Sequence, residues 1–178
     1  MSGPLLVLVG PPASGKTTVG TVVAERLGVL FRDTDADIQT ATGSSIADLF
    51  VTEGKPHFRA LEEAAVARAL TEHDGVLALG GGSVMSAATR ELLVRYGRQG
   101  GTVVRLDVDL ASAARRVGLS RDRPLLAVNP RAMLRQMLEA RAPLYDEVAT
   151  QTVATGGREP ADVVAAVLDV LPTRPAGR

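Results

Sequence analysis

The chain has 178 residues, with twenty basic and twenty acidic side chains and a formal net charge of zero. That length predicts one domain around one core, and the charge balance gives no electrostatic case for nucleic acid or an anionic membrane as the main partner. Cysteine is absent, which excludes disulfides and thiolate metal sites and fits a reducing compartment.

The opening stretch MSGPLLVLVG has no basic n-region, and its apolar run is too short to span a bilayer or act as a signal. A soluble, cytoplasmic protein is expected. LLVLV, Leu5 to Val9, shows no alternation and predicts a parallel strand buried on both faces. Val19, Val22, Val23 and Leu27 then recur at helical spacing, with Gly28 as the stop. VLFRD predicts a second strand, and DADIQTATG a short helix closed by Gly43. Ser45 followed by Asp48 is an N-terminal capping pattern ahead of Leu49 and Phe50.

Residues Pro56 to Glu72 are rich in Ala, Leu, Glu and Arg without a breaker, which predicts a long helix. VLAL reads as a strand running into Gly80-Gly81-Gly82, followed by a helix around Ala87 to Tyr96 and the strand TVVRLD. A helix near Leu110 to Val117 gives way to GLSRDRPLLAVNP, read as a mobile loop. Arg131 to Arg141 predicts a helix, QTVAT a last strand, Pro160 to Leu171 the closing helix, and PTRPAGR a frayed tail. Strands alternating with helices imply an α/β domain with a parallel sheet. The segments GPPASGKT, Asp33-Thr34-Asp35 and Gly80-Gly81-Gly82 each follow a predicted strand, so all three should meet at the edge of the sheet where ligands bind.

Gly10 to Thr17 fits G-x-x-x-x-G-K-[ST] between a buried strand and an amphipathic helix. In that context the backbone N–H groups of Pro12 to Thr18 that are available wrap phosphate, Lys16 reaches the outer phosphates and the Thr17 hydroxyl faces Mg²⁺. Only Lys16 and Lys55 are lysines, against eighteen arginines, so a lysine in this loop is not compositional filler. A guanine-nucleotide switch would want an N/T-K-x-D element, and neither lysine sits in one. Small size favours a small-molecule kinase over a motor.

Asp33 and Asp35, two residues apart at a strand end, can divide their tasks between metal and substrate. Arg59 and Glu62 are i, i+3 on the long helix and can pair, although spacing alone favours an ordinary surface pair. Three consecutive glycines imply close approach of a ligand or another backbone.

The combination of the Gly10–Thr17 loop, Asp33-Thr34-Asp35, Phe58-Arg59 with Glu62, Gly80-Gly81-Gly82, Arg123-Pro124-Leu125-Leu126 and Arg141-Ala142-Pro143-Leu144-Tyr145 resembles the shikimate kinase family in order and approximate spacing. The resemblance runs to Leu171. It implies a three-layer P-loop kinase fold over residues 1–171, with a five-stranded parallel sheet in the order 2-3-1-4-5, a mobile lid at about 118–129 and a tail at 172–178. The implied reaction is ATP-dependent phosphorylation of the 3-hydroxyl of shikimate, on the route to chorismate and the aromatic amino acids.

By motif, Asp35, Arg59, Gly80, Gly81, Gly82 and Arg141 would bind shikimate, with Glu62 beside Arg59 and Phe50 and Phe58 as walls or as plain core. Two arginine forks suit a small carboxylate. Asp35 would orient the attacking hydroxyl and take its proton; at an ordinary pKa near ~3.9 it is a weak base, but a loose transition state asks little of it early. Lys16 and Arg123 would spread over the migrating charge. Pro12, Ala13, Ser14, Gly15, Lys16, Thr17 and Thr18 would hold the phosphates of ATP, and Thr17 with Asp33, through water, the Mg²⁺. Adenine would fall to Arg116, with Arg115 or Arg121 as substitutes, and to Arg158 with Pro160. His57 is read as a surface residue. A gluconate kinase and a non-catalytic nucleotide-binding regulator are the competing readings, and a monomer is expected.

Overall fold

The computed structural model describes residues 3–118 and 130–172. Five strands form one parallel sheet: β1 (Leu6–Val9), β2 (Phe31–Asp33), β3 (Val76–Ala78), β4 (Val103–Asp107) and β5 (Gln151–Ala154), in the order β2-β3-β1-β4-β5. Val7 of β1 lies in register with Leu77 of β3 on one side and Val103 of β4 on the other. All four residues of β1 are buried, which is why its sequence shows no alternation.

Eight α-helices accompany the sheet among the described residues: α1 (Lys16–Leu27), α2 (Thr34–Thr42), α3 (Ile46–Thr52), α4 (Gly54–Glu72), α5 (Ala87–Arg98), α6 (Leu110–Gly118), α7 (Pro130–Val148) and α8 (Pro160–Asp169). Leu6 and Leu8 on one face of β1 pack with Val19 and Val23 of α1 and Val163, Val164 and Val167 of α8. Val7 and Val9 on the other face pack with Val66 and Ala69 of α4, Leu93 of α5, and Tyr145 and Val148 of α7. The layers are therefore helix, sheet, helix. Because the strands are parallel, the loops after β1, β2 and β3 emerge on one edge, as their sequence positions imply.

Helix ends follow local chemistry. Gly28 and Gly43 close α1 and α2 in the left-handed conformation, which glycine adopts without a Cβ penalty. Ser45 caps α3, its Oγ accepting from Asp48 N at 3.1 Å, as the capping pattern predicts. The predicted core stripe of α1 ends early: Leu27 is 37% exposed.

The larger departure is at α7, which continues beyond Arg141 and through Pro143 to Val148. A proline inside a helix costs roughly 3 kcal/mol. Carrying Tyr145 and Val148 into the core, where each is 2% exposed, returns about 1.5–3 kcal/mol per side chain and outweighs the breaker. The predicted loop and lid at 118–129 fall almost wholly on residues outside the described ones, as do Arg121, Arg123 and all but the first residue of the tail.

Gly20 marks where α1 meets the sheet: a Cβ there would stand 2.5 Å from Phe31 Cε2 and 3.0 Å from Leu8 Cδ1. Helix propensity alone favours Ala over Gly by about 1 kcal/mol, whereas overpacking costs about 1–3 kcal/mol. Gly20→Ala is therefore expected to lower the urea midpoint without changing the slope of the transition.

Candidate active site

The loop from Gly10 to Gly15 delivers α1 with its N-terminus facing the strand ends. Lys16 Nζ donates to the carbonyls of Gly10 at 2.8 Å and Pro11 at 3.0 Å, and to Ser14 Oγ at 3.3 Å. These are neutral acceptors on the loop itself, which an anionic phosphate oxygen outcompetes. Ala13 sits at φ 66°, the one non-glycine residue with positive φ among those described. An L-residue in that region is held there only by its surroundings.

Asp33 ends β2 and caps α2, its Oδ1 accepting from Asp35 N at 2.9 Å. Its Oδ2 accepts from Thr17 Oγ1 at 3.0 Å. Asp33 thus serves the phosphate loop, while Asp35, in the first turn of α2, lies against Gly80. The residue between them, Thr34, is fully buried and accepts from Gly80 N at 3.0 Å. Thr34 pins the ends of β2 and β3 together, a role the sequence reading did not assign.

Each glycine of the Gly80–Gly82 turn makes room for a different group. A Cβ on Gly80 would stand 2.5 Å from Asp35 Oδ1 and 2.7 Å from Glu62 Oε1. One on Gly81 would meet Pro12 Cδ of the phosphate loop at 2.8 Å, and one on Gly82 would overlap the Arg59 guanidinium. The turn is therefore where the acid, the arginine and the phosphate loop converge.

Arg59 pairs with Glu62, and the pair is not a surface one: Glu62 is 3% exposed and also accepts from Ser83 Oγ at 3.0 Å. The Arg59 guanidinium stands 5.6 Å from the centroid of the Phe58 ring. Phe58 is buried and Phe50 half-buried, with ring centroids 4.5 Å apart, in a small core with Ile38 and Leu49. His57 is exposed, as read.

From the far side, Gly81 O accepts from Arg141 Nη1 at 3.0 Å and from Tyr145 Oη at 2.6 Å. Burial pushes the Tyr145 phenol up to about 12, against the opposing pull of Arg141, so it is a neutral donor across the ordinary pH range. Tyr145 received no role from the sequence. Its spacing of four from Arg141 becomes a signal only once the helix is known to pass Pro143.

At the other end, Arg116 Nη1 donates to Ala13 O at 3.0 Å and Nη2 to Thr155 O at 2.9 Å. The side chain thereby ties the phosphate loop to the loop before α8. Arg158 donates to the carbonyls of Ala154 and Asp162 at 3.2 and 3.0 Å, beside Pro160 at the start of α8, and Arg115 reaches Ser112 Oγ at 3.2 Å. Hydrogen bonding from a guanidinium edge leaves its planar face available for stacking. Hydrogen bonds from Ser112 to Asp109 lower the pKa of that carboxyl and fix the start of α6. A cavity of about 290 Å³ lies against Pro11, Arg105 and Tyr145, and neither Asp35, Arg59 nor the three glycines line it.

A family model for shikimate kinase matches residues 12–172. The shikimate kinase of Streptomyces avermitilis is 56% identical over 176 residues, covering 99% of this chain and 100% of that one. The shikimate kinase of Saccharopolyspora erythraea is 56% identical over 177 residues, 98% of each chain. Among solved structures, shikimate kinase from Acinetobacter baumannii in complex with shikimate aligns with a TM-score of 0.86 at 38% identity, over 94% of this chain and 92% of that one.

Ala13→Gly should stabilise the fold by about 1 kcal/mol by relieving the left-handed backbone, read as a raised urea midpoint. For Tyr145, the folded state favours the neutral phenol, so its contribution is complete below the unfolded value of ~10 and is lost as pH rises through about 12. Between pH 9 and 11 the wild type should therefore lose about 1.4 kcal/mol more stability than Tyr145→Phe, measured by urea unfolding at the two pH values.

Proposed function

The chain belongs to the shikimate kinase family, and from that premise we propose how its own residues perform the reaction. The enzyme transfers the terminal phosphoryl group of ATP to the 3-hydroxyl of shikimate, giving shikimate 3-phosphate and ADP, a step toward the aromatic amino acids. The observation that carries the reading is the glycine turn, where Gly80, Gly81 and Gly82 each give way to a different part of the machinery.

The acceptor is a small carboxylate bearing three hydroxyls. Arg59, aimed by buried Glu62, and Arg141, beside Gly81, are proposed to receive the carboxylate through paired N–H donors. Asp35 accepts from the 3-hydroxyl, holds its oxygen toward the phosphate loop and takes its proton as the new bond forms. Phe50 and Phe58 close the apolar side of the pocket. A pocket built on such hydrogen bonds discriminates against analogues that lack a hydroxyl, by roughly 10⁴–10⁵ where the vacated groups stay buried.

On the donor side, the backbone from Pro12 to Thr18 cradles the phosphates of ATP, and Lys16 exchanges the Gly10 and Pro11 carbonyls for phosphate oxygens. A hydroxyl and a carboxylate in mutual contact are hard oxygen donors suited to Mg²⁺, which takes few protein ligands and keeps its waters. Thr17 directly, and Asp33 through water, would hold that ion, whose charge offsets that of the phosphates. Arg123, outside the described residues, is proposed to share the transition-state charge; arginines in that role contribute about 10³–10⁵ in rate. The faces of Arg116 and Arg158, with Pro160, are proposed to sandwich adenine.

The proposal extends to one kinase domain over residues 1–171, acting as a cytoplasmic monomer, in keeping with the zero net charge and the length. No helix among the described residues is long and apolar enough to cross a membrane.

ADP release with Mg-ATP should depend on shikimate and not on gluconate, and should fall at least 100-fold in Asp35→Asn, within the range expected when a positioning and proton-accepting group is lost. Equal release with gluconate, or with no acceptor, would overturn the assignment of the pocket.

A further inference from the structure

Three glycines in a row have no side chains with which to hold their own peptides, so the shape of the Gly80–Gly82 turn is imposed from outside. Gly80 is fixed by Thr34 through its N–H and by Ser83 N, which donates to its carbonyl at 3.0 Å. Among the described residues, the peptide joining Gly81 to Gly82 is held from α7, through the Arg141 and Tyr145 donors that share the Gly81 carbonyl. Every peptide described is trans, so a carbonyl drawn toward α7 turns the Gly82 N–H away from it. Neither the Gly81 nor the Gly82 N–H has an acceptor among the described residues, although Gly82 is buried. A buried N–H is seldom left so in native structures, and the Gly82 N–H belongs to the residue that lies against the Arg59 guanidinium.

Of the two groups on that carbonyl, Arg141 is half-buried and has further donors to spend on an anion. Tyr145 is 2% exposed and its single donor is spent on Gly81. Its ring is backed by the Arg105 guanidinium, 5.9 Å from the ring centroid. Arg105 in turn is held by Asp107 at 2.7 Å and by Asp146. The phenol is thus a rigid, neutral anchor that does not itself meet the substrate.

We propose that Tyr145 is a positioning residue of the acceptor site: its hydroxyl locks the Gly81–Gly82 peptide so that the Gly82 N–H faces an acceptor oxygen, and it frees Arg141 from carrying that carbonyl alone. The inference rests on the reading of this pocket as the shikimate site. ATP binding lies outside its reach.

The test is Tyr145→Phe, which keeps the ring and the core packing. Loss of one positioning hydrogen bond should raise the KM for shikimate about tenfold, with the KM for ATP within twofold of wild type and kcat reduced less than the specificity for shikimate. A shared rise in both KM values, or an unchanged KM for shikimate, would overturn the proposal in favour of a purely structural tyrosine. A second readout needs no mutant at the site. The chain has two tyrosines, so 3-fluorotyrosine labelling gives two ¹⁹F resonances, assigned with Tyr96→Phe. Saturating shikimate should shift the Tyr145 resonance and ADP alone should not; a Tyr145 resonance unmoved by shikimate would overturn the proposal even if Tyr145→Phe failed to fold. Failure of the functional reading would show separately, as wild-type enzyme that does not turn over shikimate.

Discussion

Glu62 holds its carboxylate at 3% exposure on a helix facing the ends of the strands. A charge at that depth is tolerated only where donors replace the water it has lost, since the desolvation penalty is of order several kcal/mol. Arg59 and Ser83 supply those donors, and the rest of the acceptor side follows from that requirement. Arg59 must lie across Gly82, where no Cβ is allowed; Ser83 must follow the glycines directly; and Gly80 must let both Glu62 and Asp35 close in. The pair orients the Arg59 guanidinium, so one desolvated carboxylate sets the geometry of the group proposed to receive the substrate carboxylate.

The phosphate side obeys a different logic. There the anchoring is mostly to backbone: Lys16 donates to loop carbonyls, Asp33 caps a helix through Asp35 N, and Arg116 clasps Ala13 O and Thr155 O. Backbone groups are available whatever the sequence, so this side can rely on a short motif and one strained residue, Ala13. The acceptor side, built from side chains on α2, α4 and α7, needs several separate motifs to coincide.

That difference explains what could be read in advance. The parallel sheet was legible because β1 is apolar at every position and because the three loops that follow β1, β2 and β3 carry unmistakable residue types. The cap at Ser45 and the stops at Gly28 and Gly43 were legible because local chemistry decides them. The depth of Glu62 was not: i, i+3 spacing is the same on a solvated face as on a buried one, and only the packing of α4 against the glycine turn tells them apart. The end of α7 was misjudged because propensity gives Pro143 a local penalty, while the compensating burial of Tyr145 and Val148 is tertiary. Arg116 on the carbonyls of Ala13 and Thr155 leaves no pattern, since a carbonyl acceptor carries no residue identity.

The same contacts bear on how the molecule comes to exist. Gly81 O is reached by side chains 60 and 64 residues further along, and Ala13 O by one 103 residues away. Closing spans of that length costs more chain entropy than closing local ones, and that cost is met before their contacts form. A nascent chain emerged only through β4 already holds the phosphate loop, Asp35, Arg59 and the three glycines, yet it lacks Arg116 and everything on α7. During synthesis the nucleotide loop is therefore present before the groups that shape the acceptor pocket, and the working site is completed only by the last third of the chain.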